Sequence, residues 1–279
     1  MEPPPTPEGR SVIERTFDVL GAFDSGNVSL SASEISRRTG IPVATTYRIV
    51  SKLLDWGALE RIGANRYSIG LRLWEVASLA PRHAALRGAA ISPMLDLHAK
   101  THSVVMISVR DRREGVWLES VSGTGGARHK TWSTGNRFPL HATACGLVLL
   151  AQAPATVRED IFTAGLPAYT DGTVTDPDAL RGLLDENQKR GYAVCGGQLT
   201  EGAAGISVPV LDENGVGIGA LGLVTESSAV LTPRHITLTL ETSRRITRAL
   251  ALRSRESEPA PAAASRGGRG RRITRPSCA

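Results

Sequence analysis

Cysteine is rare in this 279-residue chain, and the three present, Cys145, Cys195 and Cys278, are odd in number and without metal-site spacing. That excludes a disulfide framework and reads most simply as free thiols in a reducing compartment. Long apolar runs are missing too. The longest, residues 144–151 and the glycine-broken 215–224, fall short of the roughly 18 residues that cross a bilayer, so no membrane span is expected. The start, Met1-Glu2-Pro3-Pro4-Pro5, has neither the basic residues nor the apolar stretch of an export signal, and a cytoplasmic location is expected. Catalytic signatures are equally absent: there is no Gly-x-Ser-x-Gly, no Walker loop and no His-Glu-x-x-His, and the glycine run 123–126 stops short of a dinucleotide fingerprint. His98 and His102 have helical spacing but no carboxylate or cysteine beside them, which reads as surface histidines rather than a metal site. No cofactor, metal or catalytic residue is expected.

What is present is a foldable composition, 41% hydrophobic and 22% charged, which excludes disorder throughout. The length favours two modest domains with connecting or tail sequence. Charge is unevenly spread: residues 73–252 carry seventeen charges of each sign, whereas residues 253–279 carry seven Arg against two Glu. Pro259, Pro261 and three glycines interrupt that stretch, so 254–279 reads as a disordered basic tail, either drawn to phosphates or simply solvated. Residues 1–9 read as a disordered amino terminus.

The amino-terminal part has explicit helix signals. Ser11 with Glu14, and Ser31 with Glu34, form capping boxes; Leu30 and Ile35 are placed as a hydrophobic staple around the second. The first helix is expected to bury Ile13, Phe17 and Leu20. Gly40 stops the second helix, and Ile41-Pro42 restarts the chain into a third over residues 43–56. That helix is expected to bury Tyr47, Val50, Leu53 and Leu54 and to turn Thr45, Arg48 and Lys52 outward. Such a stripe either reaches base edges and phosphates or is an ordinary solvated face. Alternation around Gly63-Ala64-Asn65 then predicts a hairpin with Tyr67 and Ile69 inward and Arg61 and Arg66 at its tip, placed as a wing on DNA.

Pro42-Val43-Ala44-Thr45-Thr46-Tyr47-Arg48 resembles the recognition-helix pattern of the IclR family of bacterial transcriptional regulators. Arg137-Phe138-Pro139-Leu140-His141-Ala142-Thr143-Ala144-Cys145-Gly146 is similar to a later stretch of that family, as are Arg190-Gly191-Tyr192-Ala193-Val194 and Gly205-Ile206-Ser207-Val208-Pro209-Val210. The resemblance implies an α+β protein: a winged helix-turn-helix domain (10–72), a linker helix (73–88) kinked or ended by Pro81, and a GAF-like effector domain (89–253). It implies double-stranded DNA with a pseudo-palindromic operator, a small-molecule effector, and a homodimer or tetramer. The candidate DNA contacts are Ser31, Ser33, Val43, Ala44, Thr45, Thr46, Tyr47, Arg48, Lys52, Arg61 and Arg66.

Hairpins are expected over residues 103–121 and 205–224, with helices over 143–151, 154–163, 177–190 and from 233 to about 253. In family members that bind small 2-oxo acids, the resemblance places pocket walls at Ala144, Cys145, Cys195, Gly205, Gly222 and Val224. An acidic residue usual near 195 is Cys here, a second acidic position is Gln198, a polar residue near 205 is Gly, and two hydroxyl positions are Gly222 and Val224. Without hydrogen-bond partners a buried carboxylate is costly, which argues against glyoxylate or pyruvate. The expectation is an enlarged, dry cavity for an aromatic or mostly apolar metabolite, anchored by Thr143 or His141. The alternatives are a redox regulator using Cys145 and Cys195, or a Cys-dependent enzyme in which Cys145 is paired with His141.

Overall fold

A computed structural model describes residues 10–123, 132–225 and 231–257. The expectations for residues 1–9, for Thr124-Gly125-Gly126 and for the tail from 258 onward lie outside these residues, whereas residues 254–257, expected to be part of the disordered tail, are helical.

Both capping boxes form, with Ser11 opening α1 (Val12–Gly21) and Ser31 opening α2 (Ala32–Thr39). Gly40, at φ +71°, ends α2 in the left-handed conformation that costs glycine nothing, and Pro42 then caps α3 (Val43–Trp56). Leu30 and Ile35 are both buried, as a staple requires. The hairpin β1 (Leu59–Ile62) and β2 (Arg66–Ile69) follows, and Tyr67 joins Val19, Ile35, Ile41, Ile49 and Val50 in one core.

Two inward faces differ from expectation. Ile13 and Phe17 on α1 are 67% and 65% exposed, and only Val19 of that helix is fully buried. Ile69, the last residue of β2, is also 39% exposed, while Tyr67 and Ser68 before it are both covered.

Residues 73–88 are not one helix. α4 (Leu71–Ser78) ends before Pro81, which starts α5 (Pro81–Thr101) at a position where its missing amide costs no hydrogen bond. α5 leads into six antiparallel strands: β3 (Val104–Asp111), β4 (Glu114–Val121), β5 (Arg137–Pro139), β6 (Ala193–Gly196), β7 (Ala204–Leu211) and β8 (Gly217–Thr225), in the order β5-β4-β3-β8-β7-β6. β5 and β6, at three and four residues, are too short to show alternation and were read only as family-like stretches.

Period-two alternation splits the sheet into two faces. Val105, Ile107, Val208, Leu221 and Leu223 pack beneath α5 and α9 (Pro233–Ser257). Met106, Trp117 and Ala220 pack beneath α6 (Ala144–Ala151), with α7 (Ala155–Ala164) and α8 (Pro177–Arg190) outside it. Every residue of α6 is buried. A Cβ on Gly146 would run into the main chain of Leu140, so glycine there lets the helix lie against the segment that precedes it. Among the described residues no helix is long and apolar enough to cross a membrane.

Candidate functional site

Two groups of side chains face solvent or open space rather than the cores. The first is on α3 and the hairpin. The buried stripe of α3 is Thr46, Ile49, Val50 and Leu53: Val50 and Leu53 are buried as expected, whereas Thr46 takes the place expected of Tyr47 and Leu54 is only half-buried. Tyr47 therefore points outward at 44% exposure, beside exposed Val43, Ala44, Arg48 and Lys52, with Thr45 half-buried. Thr46 is fully buried, and its hydroxyl donates to the carbonyls of Ile41 (3.3 Å) and Pro42 (3.2 Å), so it closes the helix-turn-helix corner and is withdrawn from the DNA-facing set. Lys52 meets Asp55 at 3.3 Å with both side chains largely in water, a pair too screened to hold the ammonium.

Ser33 is exposed, whereas the Ser31 hydroxyl is taken up by the cap, accepting from the Glu34 amide and donating to Glu34 Oε2. The Ser31 amide, and after it the Ser31 hydroxyl, donate to the Glu34 carboxylate and hold it below its usual pKa. Arg66 is a strut as much as a wing-tip cation: it donates to Ser29 Oγ (3.0 Å), the Ser29 carbonyl and Glu34 Oε2 (3.2 Å). Arg61 lies over the Tyr67 ring at 5.5 Å and is otherwise exposed.

The second group encloses a cavity at the amino end of α6. Thr143 caps that helix by accepting from the Gly146 amide at 2.9 Å, and the amides of Ala144 and Cys145, in its first turn, have no acceptor within the helix. Trp117, stacked on Phe138 at 3.8 Å, walls one side; Trp132, Met106, Gly205 and Val224 complete much of the rest. The rim from Gly197 to Thr200 is pinned from behind, since the Thr173 hydroxyl donates to the Gln198 carbonyl at 2.6 Å and the Gly197 amide to the Ala203 carbonyl at 2.8 Å. The free space is about 50 Å³. One water needs about 10–15 Å³ by that measure, so the cavity holds the bulk of one small ring.

Comparison with known proteins is decisive at this point. Residues 80–251 match the model of the bacterial transcriptional regulator IclR carboxy-terminal domain, and residues 12–63 match that of the IclR helix-turn-helix domain. The chain belongs to the IclR family of bacterial transcriptional regulators. It is 31% identical over 185 residues to the HTH-type transcriptional regulator KipR of Bacillus subtilis, spanning 66% of this chain and 74% of that one. It is 27% identical to the Pca regulon regulatory protein of Pseudomonas putida, spanning 85% and 83% of the two chains. An IclR homologue from Microbacterium hydrocarbonoxydans, solved in complex with 4-hydroxybenzoate, is 32% identical with a TM-score of 0.81, covering 87% of this chain and all 100% of its own. The Thermotoga maritima IclR structure is 25% identical with a TM-score of 0.69, covering 86% and 98%.

Five of the six positions that the resemblance gave, Ala144, Cys145, Cys195, Gly205 and Val224, come together on this cavity, and so does Thr143, one of the two suggested anchors. Gly222 does not. A Cβ there would collide with Cys145 Sγ, so the thiol, not open space, occupies the room that Gly222 leaves. His141 is buried but turned elsewhere, with Nε2 2.9 Å from the Pro167 carbonyl and its ring 5.8 Å from that of Tyr169; it anchors the 167–169 segment. The cavity was expected to be enlarged; it is small and mostly apolar in its lining, with Trp117 and Trp132 among its walls. Those two walls and Gln198 were missed as lining residues. The scarcity of tryptophan, four in the chain, was the available signal for the walls.

Burial pushes the Cys145 thiol up to about 11 and the Cys195 thiol up to about 12. At neutral pH both stay protonated, which disfavours thiolate sensing and nucleophilic catalysis alike. His98 Nδ1 lies 2.7 Å from the Ser103 carbonyl, and among the described residues no group of three or more His, Cys, Asp or Glu could hold a metal ion.

Proposed function

We propose that this IclR-family regulator binds a single-ring, largely apolar metabolite in the cavity at the amino end of α6, and that occupancy changes the affinity of α3 and its wing for an operator. The domain limits are those of the sequence reading: 10–72 for DNA, 89–253 for effector, the stretch between as linker, with the protein acting in the cytoplasm. One observation carries the effector reading. The cavity joins aromatic and aliphatic walls to the amino end of α6, whose uncapped amides suit an acidic substituent. The 4-hydroxybenzoate complex of the Microbacterium relative supports the same chemistry.

Ser33, Val43, Ala44, Thr45, Tyr47, Arg48, Lys52 and Arg61 remain the DNA-facing set. Two copies are required, because one short helix reads too few base pairs and a two-fold assembly matches a pseudo-palindrome. The apolar faces of α1 (Val12, Ile13, Phe17) and α4 (Leu71, Trp74, Val76) are exposed and supply a self-complementary surface for it. One contact joins the two regions and is a candidate route between the two functions. Asn136, whose main chain pairs with Trp117 in the cavity wall at 3.0 Å, also donates Nδ2 to Ser25 Oγ between α1 and α2 at 3.0 Å.

Calorimetric titration with 4-hydroxybenzoate tests the reading. Saturable one-site binding that Gly205→Val weakens at least tenfold is expected; no binding up to millimolar ligand, or binding indifferent to Gly205→Val, contradicts it.

A further inference from the structure

Among the described residues Gln198 is the cavity-lining residue whose buried side-chain acceptor, Oε1, has no hydrogen-bond partner, whereas the Thr143 hydroxyl beside it is engaged in capping α6. An orphaned buried acceptor is expensive, and native proteins keep one where a ligand completes it. The residue is also held in place. Thr173 and Thr170 hydroxyls both donate to the Gln198 carbonyl, at 2.6 and 3.3 Å, Thr170 donates to the Gly197 carbonyl at 2.5 Å, and Gly197 takes φ +67° to make the turn. With the main chain held at these three points, the Gln198 side chain starts from a fixed position in the cavity wall, and a ligand hydroxyl that presses against that wall can reach Oε1 with only a small side-chain adjustment.

We propose that Gln198 is the specificity-determining residue of the effector cavity: its Oε1 accepts a hydrogen bond from an O–H group on the ligand ring. The effector class is therefore a hydroxylated single-ring compound, such as a phenol, rather than the unhydroxylated ring of the same size. The inference rests on the cavity being the effector site. It adds to that reading a named residue and a named ligand group. The neutral amide is essential to the argument, since it offers an acceptor to a hydroxyl without placing a charge beside an acidic substituent elsewhere on the ring.

The test is calorimetry on the full-length protein with a matched pair of probes, 4-hydroxybenzoate and benzoate. Wild type is expected to bind the hydroxylated probe about tenfold or more tightly, since the analogue leaves the acceptor unpaired. Gln198→Met keeps the side-chain length, removes the acceptor and should bind both probes within about twofold. Gln198→Glu keeps an acceptor and should retain the preference as a ratio, even if both affinities fall. Thermal melting of each variant checks that the fold is intact; should Gln198→Met not fold, the ratio in Gln198→Glu and in Gln198→Leu carries the same test. A wild type without preference, or a Gln198→Met protein that keeps it, overturns the inference while leaving the cavity as the effector site. Failure of the cavity reading itself looks different: neither probe binds wild type, or both bind and Gly205→Val changes neither, and the inference falls with it.

Discussion

The two halves of the molecule place their polar chemistry on opposite sides of the protein surface. Around α3 and the β1–β2 hairpin the cations are outside, in water, and the core beneath is purely structural; Arg48 and Lys52 need only a helix that shows one face. Around α6 the chemistry is inside, made by Met106, Trp117, Ala144, Gln198, Gly205 and Val224, which are distant in sequence and meet only because β4-β3-β8-β7 are neighbours. A surface that reads a charged polymer can tolerate imprecise side chains. A cavity that reads a small molecule depends on every packed wall around it.

This contrast breaks most readily at Phe138, which is 1% exposed and stacked on Trp117. Phe138→Ala should cost the carboxy-terminal domain about 3–5 kcal/mol in denaturant unfolding. Because α1–α3 have a separate core, the isolated transition of the winged helix should stay where it was; a single, equally shifted transition for both would merge the regions the comparison separates.

At Gly222 a smaller loss is expected. Gly222→Leu drives a side chain into Cys145 Sγ and should cost about 1–3 kcal/mol through overpacking rather than fill the cavity. Gly222→Ala combined with Cys145→Ala should recover much of the cost of Gly222→Ala alone, a coupling that a double-mutant cycle measures. Additive losses would mean that the thiol and the glycine are not in contact.

On the outer surface, Arg48→Ala should weaken operator binding by about 1–3 kcal/mol and relax sequence preference, whereas Lys52→Ala should weaken all sequences alike and flatten the salt dependence. Wild-type affinity and salt slope in both variants would remove α3 from the interface. Thr46→Val, by contrast, should affect folding of the helix-turn-helix corner before it affects any base preference.

The smallest effect concerns the thiols. In a Cys278→Ser background, Cys145 and Cys195 should resist iodoacetamide at pH 8 in the native state and react on unfolding. Their pKa values are raised by burial above the usual 9, so the unfolded chain loses these protons first. Stability they contribute is present below about pH 9 and declines as pH rises toward 11 to 12. Fast native alkylation at pH 8 would reopen the redox reading.

How much was legible follows the same division. Ser11, Ser31, Gly40 and Gly57 act within a turn or two of the chain, so helix starts and stops could be read directly. The faces were harder: a one-position error in the inward stripe of α3 exchanged Thr46 for Tyr47, and the exposed Ile13 and Phe17 looked like core because apolar residues at helical spacing mark a face without saying whether this chain covers it. In the cavity, family likeness pointed to five residues, Ala144, Cys145, Cys195, Gly205 and Val224, that do share one cavity. Side-chain identities alone could not reveal that Cys145 fills the room above Gly222 or that Trp117 and Trp132 stand in the cavity wall.

Operator affinity measured with and without saturating 4-hydroxybenzoate, in wild type and Gly205→Val, tests most directly whether the enclosed site governs the exposed one. The account predicts that the ligand shifts operator affinity of the wild type at least fivefold, the lower end of typical coupling between sites, while Gly205→Val binds the operator normally and shows no shift. An equal ligand-dependent shift in both proteins would contradict it.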